Sequence, residues 1–219
     1  MSTSVPRHSW PDRPAADLLD RPARARRRML RLAAALGAAP LLASAPAHAV
    51  GQHGRIEPPQ APPDVALLRD DGMRTTLARQ LSGRVTAMHF MFTGCVSTCP
   101  IQGAVFARVQ ELLAPLRLAR VQLLSVSVDA LGDDPGTLSR WRERLSAGPA
   151  WRAAVPTPAH VDRLTRWAGG VQPFAADTHA TQVLLFDDRA RLVFRTTDLP
   201  DPAEVTKLVV SLESLTRAS

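Results

Sequence analysis

The chain has 219 residues and a net charge of +7, unevenly placed: residues 1–49 hold eight arginines against three aspartates, and the rest holds 19 Lys and Arg against 17 Asp and Glu. Basic character gathered in a leader argues against a nucleic-acid partner, and the sequence has no basic stripe with interleaved aromatics and no zinc-finger spacing. The residues after position 49 suffice for one compact domain with a sizeable core.

From the N-terminus, residues 24–31 read Arg-Ala-Arg-Arg-Arg-Met-Leu-Arg, and an apolar run follows from Leu32 to Leu42. Ala47-His48-Ala49 then supplies a small-x-small cleavage site, so residues 1–49 read as an export signal that is removed. The apolar run is shorter than the span of about 20 residues that crosses a bilayer. Arg26-Arg27-Arg28-Met29-Leu30-Arg31 is similar to a twin-arginine signal, which places the mature protein in the periplasm; an ordinary secretory signal or an uncleaved anchor are the alternative readings. No cysteine stands at the cleavage point, which argues against a lipoprotein.

Residues 50–63 contain four prolines and two glycines and read as a flexible tether, with the folded domain over 64–219. Val85 to Phe92 is a short apolar run that predicts a buried strand, followed by helical spacing over Gln102 to Leu113. Val121 to Val128 predicts a second buried strand. Asp134-Pro135 opens a helix through Leu145, with aspartate as N-cap and proline as first helical residue. A shorter helix covers Ala159 to Trp167. Thr181–Phe186 and Arg191–Thr196 form a hairpin through Asp187-Asp188-Arg189-Ala190, and Pro202 to Leu215 closes the chain as an amphipathic helix. Buried strands alternating with helices, plus a late hairpin, predict an α/β fold: a thioredoxin-like three-layer sandwich, with a central mixed sheet and helices on both faces.

The first buried strand meets its helix at Phe92-Thr93-Gly94-Cys95-Val96-Ser97-Thr98-Cys99-Pro100, which contains both cysteines of the chain. With Pro100 as the first helical residue, Cys99 falls at or beside the N-cap and Cys95 one turn earlier, so the two sulfurs converge. Thiolates are stabilised at a helix start, where N–H groups lack intrahelical partners. Such a pair can ligate a metal or exchange disulfides, but not both at once. A purely structural disulfide closing so small a loop constrains little unfolded-chain entropy.

Of the four histidines after position 49, His53 lies in the tether, His89 inside a buried strand where a hydrogen-bonded core role is expected, and His160 at the start of a short helix. His179, in Ala176-Asp177-Thr178-His179-Ala180, precedes a strand, in a loop that a thioredoxin-like sheet packs against the cysteine loop. Two thiolates and one imidazole suit copper, and soft sulfur favours Cu(I), whereas a closed structural zinc site takes a fourth protein ligand. The expected metal ligands are therefore Cys95, Cys99 and His179, with Asp177 as a hydrogen-bond acceptor that orients the histidine.

Phe92-Thr93-Gly94-Cys95 to Cys99-Pro100, the later Asp177-Thr178-His179, and Ser127-Val128-Asp129 followed by Asp134-Pro135 together resemble the Sco/SenC family of copper chaperones. The resemblance covers roughly residues 60–215. It implies a thioredoxin fold, export, copper on Cys95, Cys99 and His179, and delivery of copper to the dinuclear site of a cytochrome c oxidase subunit. It also implies an alternative role as a thiol–disulfide reductase keeping that subunit's cysteines reduced. Another periplasmic copper carrier or thiol reductase would then be a further partner. The sequence departs from the family at Gly94, at Val96-Ser97-Thr98 between the cysteines, and at the Asp187–Ala190 turn. A third reading, a peroxidase of the same fold using one activated cysteine with Thr98, lacks an identifiable arginine partner.

Overall fold

The computed structural model describes residues 53–169 and 181–218; the leader and the loop with Asp177 and His179 lie outside the described residues. The described elements, in chain order, are β1 (Gly54–Gln60), β2 (Ala66–Arg69), β3 (Arg74–Thr76), α1 (Leu77–Leu81), β4 (Val85–Met91), α2 (Cys99–Leu113), β5 (Val121–Ser127), α3 (Pro135–Arg144), β6 (Trp151–Pro156), α4 (Pro158–Trp167), β7 (Leu184–Phe186), β8 (Leu192–Arg195) and α5 (Pro202–Ala218).

The strands form a single eight-stranded mixed sheet in the order β1-β8-β7-β4-β5-β6-β2-β3. Its centre is parallel: β4 pairs with β5 from Val85↔Val121 to Met91↔Ser127, and β5 pairs in parallel with β6. The flanks are antiparallel, through β4–β7, β7–β8 and β8–β1 on one side and β6–β2–β3 on the other.

Every residue of β4 and β5 is buried, because helices cover both faces of the central strands and leave no side for polar alternation. On one face Val85, Ala87 and Met91 of β4 pack with Phe106 and Val109 of α2, Leu138 and Trp141 of α3, and Val205 and Val209 of α5. On the other, Met88 and Phe90 pack with Leu77 and Leu81 of α1 and Leu164 of α4. The molecule is thus the three-layer, thioredoxin-like α/β sandwich expected from the sequence.

Two differences from the sequence reading stand out. Residues 54–60, read as tether, form edge strand β1 against β8, with Gly54 opposite Arg195 and Gln60 opposite Leu192. Proline is tolerated there because an edge strand keeps one row of N–H groups free of the ladder. Strand β6, unread in the sequence, fills the place beside β5; its Trp151, Ala153 and Val155 point into the first core and Ala154 into the second.

Candidate metal and thiol site

The candidate site sits at the carboxyl ends of the two central parallel strands. Strand β4 ends at Met91, whose carbonyl accepts the Val128 N–H at 2.9 Å just beyond β5, so the two strand ends leave the sheet together. From there the chain turns: the Cys95 N–H donates to the Phe92 carbonyl at 3.2 Å, a four-residue turn with Thr93 and Gly94 at its corner.

Helix α2 begins at Cys99, one residue earlier than the sequence suggested, with Pro100 in its first turn. Thr98 is the N-cap, but its backbone is already helical and its side chain makes no cap hydrogen bond. The role passes to sulfur: the Cys99 N–H donates to Cys95 Sγ at 3.3 Å. One of the N–H groups that a helix start leaves without a carbonyl partner is thereby aimed at a thiol. The Ser97 hydroxyl lies 3.8 Å from the same sulfur.

This geometry makes the two cysteines unlike each other. Cys95 is half-buried and Cys99 only 2% exposed, and both are free thiols. Burial pushes the Cys95 thiol up, but the Cys99 S–H, the Cys99 and Ser97 N–H groups and the Ser97 hydroxyl all favour its thiolate and bring it down to about 7. Burial, followed by the hydrogen bond to Cys95, pushes Cys99 up to about 12, outweighing the Phe92 backbone. Cys95 therefore ionises first, and Cys99 is its protonated donor. The helix start stabilises one thiolate, on Cys95, one turn before the helix.

A buried carboxylate fixes the turn from behind. Asp133, 7% exposed, accepts the Thr93 N–H on Oδ2 at 3.0 Å, the Thr93 hydroxyl on Oδ1, and the Ser127 hydroxyl on Oδ2 at 2.5 Å. Ser127 Oγ accepts the Asp129 N–H at 3.1 Å, and the Asp133 N–H donates to the Asp129 carbonyl at 2.9 Å. Gly132 gives the Asp129 carboxylate room in this loop: a Cβ on it would stand 2.3 Å from Asp129 Oδ2, which would have to move.

Beneath α2 lies His89. Its Nε2 is 2.7 Å from Ser125 Oγ, which accepts the Trp151 indole N–H at 2.9 Å. Its ring packs between Phe106 of α2 at 4.1 Å and Trp141 of α3 at 6.2 Å. Burial holds its pKa down to about 4, against the upward pull of the Gln102 side chain and the Phe90 backbone, so it is neutral. It is the core histidine expected. His160 is half-buried: its Nδ1 accepts the Ala66 N–H at 3.2 Å and tethers α4 to β2.

Cys95 and Cys99 are thus brought together, and they are the described residues able to hold a soft metal ion here. His179 and Asp177 lie outside the described residues, and among those described no group of three His, Cys, Asp or Glu is gathered as a metal site. Thr93 and Asp133 carry no sequence signal that pairs them. Both stand in or beside the motif stretches of the sequence, but 40 residues apart, and only the β4–β5 pairing shows that they meet.

Comparison with known proteins agrees with the fold. A SCO1/SenC lipoprotein from Bacillus anthracis superposes with a TM-score of 0.60 at 20% identity, covering 72% of this chain and 98% of its own. BsSco, described as a member of the Sco family of cytochrome c oxidase assembly proteins with a disulfide switch, gives 0.64 at 18% identity, covering 75% and 99%. Bradyrhizobium japonicum ScoI with copper bound gives 0.56 at 20% identity, covering 69% and 99%. No curated protein sequence matches the chain. The SCO1/SenC family model matches residues 57–212, from β1 into the last helix, and the chain belongs to the SCO1/SenC family.

Proposed function

We propose that this protein is an exported metallochaperone that carries copper as its cargo on Cys95, Cys99 and His179 and passes it to the dinuclear copper site of a cytochrome c oxidase subunit. The observation that carries the reading is the paired sulfur site. Cys95 offers a partly exposed sulfur whose pKa is lowered to about 7, with a second cysteine directly behind it. Soft thiolates suit Cu(I), and Cys99 would lose its proton on coordination. A carrier must also release its cargo, which a partly exposed ligand on a loop permits better than a closed cage. Val96, 93% exposed beside Cys95, and Leu131, 88% exposed on the loop that leads to Asp133, offer apolar contacts to a client. Copper-bound relatives of the same fold support the choice of metal.

Residues 1–49 are assigned the cleaved signal and the periplasm the site of action; a family relative described as a lipoprotein supports export. Among the described residues no helix is long and apolar enough to cross a membrane.

The test is copper titration of the reduced protein, followed by thiolate-to-copper charge-transfer absorption. One equivalent should bind tightly, and His179→Ala should weaken binding by at least about 100-fold, the upper range for loss of a group that tunes a metal site. Unchanged affinity in that variant would remove His179 from the ligand set.

The same asymmetry supports a second reading, a thiol–disulfide reductase. Cys95 would attack a client disulfide as the thiolate, and Cys99, once deprotonated, would resolve the mixed disulfide. His179→Ala should leave that exchange intact while removing tight copper binding.

A further inference from the structure

We propose that Asp133 is a positioning residue for Cys95, acting through Thr93. The inference rests on reading Cys95 and Cys99 as the reactive pair, and it adds the group that holds their geometry.

Thr93 forms the outer corner of the turn between Phe92 and Cys95, and that turn sets where the Cys95 sulfur lies. Both polar groups of Thr93 that face inward, its N–H and its hydroxyl, end on the Asp133 carboxylate. The carboxylate is in turn held by Ser127 at the end of β5, and its own backbone by the Asp129 carbonyl. Three donors thus converge on one buried anion, in charge-assisted bonds that are stronger than neutral ones. The clamp joins the two central strands at the point where the reactive loop leaves the sheet. Without it, the corner of the turn is free to swing, and the 3.3 Å approach of the Cys99 N–H to Cys95 Sγ is no longer enforced. That N–H favours a sulfur that bears negative charge, so the clamp favours the reduced pair over the disulfide.

Asp133 touches neither sulfur and has no proposed part in the chemistry. Its effect is read in the equilibrium between the protein and glutathione. One oxidised glutathione takes two electrons and two protons from the Cys95–Cys99 dithiol, giving two reduced glutathiones and the protein disulfide.

The experiment measures this equilibrium, without copper, for the full chain, Asp133→Asn, Thr93→Val and Thr93→Ser. Denaturant midpoints are recorded in parallel. Asp133→Asn changes charge, whereas Thr93→Val removes only the hydroxyl bond at nearly constant shape; Thr93→Ser keeps both bonds. The expected result is a shift toward disulfide of about three- to tenfold in Asp133→Asn and in Thr93→Val, the size of one net hydrogen bond, with Thr93→Ser at the wild-type value. Asp133→Asn combined with Thr93→Val should shift no further than the larger single change, because both break one clamp. Wild-type equilibria in both single variants, even with lowered denaturant midpoints, would reduce Asp133 to a structural residue and overturn the proposal. So would a Thr93→Ser that matches Thr93→Val. Because no metal enters the measurement, a failure of the copper reading leaves this result unaffected.

Discussion

Helices α2 and α3 both follow a buried parallel strand and both open with a proline in the first turn, yet their starts are built in opposite ways. At α3, Asp134 is extended and accepts the Thr137 N–H at 2.7 Å, while the Asp134 N–H donates to Thr137 Oγ1 at 2.8 Å. This is a complete capping box, and the Thr137 N–H holds the Asp134 carboxyl below its ordinary value. At α2, Thr98 has helical backbone and its hydroxyl oxygen is buried with no hydrogen-bond partner among the described residues. The N–H of Cys99, the first residue of this helix, goes to Cys95 Sγ. One helix start is finished for stability. The other leaves a donor for a thiolate at the place where chemistry is expected.

The largest expected effect tests what the two helices share. His89 packs between Phe106 of α2 and Trp141 of α3, with its pKa lowered from 6.5 to about 4. Below pH 6.5 the unfolded chain takes up a proton that the folded chain refuses, so stability falls as pH falls and levels off near pH 4. Over that range the loss is about 3 kcal/mol, at ~1.4 kcal/mol per pH unit. Denaturant unfolding from pH 7 to 4 should show it as the difference between wild type and His89→Phe. Parallel pH curves for the two proteins would mean that His89 does not carry it.

A smaller effect should separate the two helix starts. Asp134→Ala removes the capping box and should lower the melting temperature by about 2–4 °C, without changing the alkylation rate of Cys95. An altered alkylation rate would show that the two starts are coupled.

The smallest effect is expected at the sulfur itself. Cys95→Ser keeps an acceptor near the Cys99 N–H and should move the melting temperature by less than about 2 °C, although it removes a ligand from the proposed site. A much larger fall would mean that Cys95 is mainly a structural cap.

How far the sequence discloses the molecule follows from the range over which each feature is encoded. Strands β4 and β5 are legible because burial on both faces makes them continuous apolar runs, and α3 because Asp134-Pro135 is a local start signal. Strand β6 is hidden: it is six residues long, broken by Arg152 and ended by Pro156, and only its place between β5 and β2 makes it a strand. Strand β1 carries Pro58 and Pro59, a composition that suits a linker and an edge strand equally. The cysteine loop is legible because its spacing is local. The division of labour between its two thiols is not, since it depends on burial of Cys99 and on a turn held by Asp133 from the loop after β5.

The asymmetry of the two thiols can be followed by pH-dependent alkylation, read by mass spectrometry on each cysteine. In the reduced protein, iodoacetamide should label Cys95 with a rate that rises with pH to a midpoint near 7, as its thiolate forms, while Cys99 stays unlabelled through pH 9. Labelling of both cysteines at similar rates, or of Cys99 first, would contradict the arrangement of one poised thiolate backed by one buried thiol.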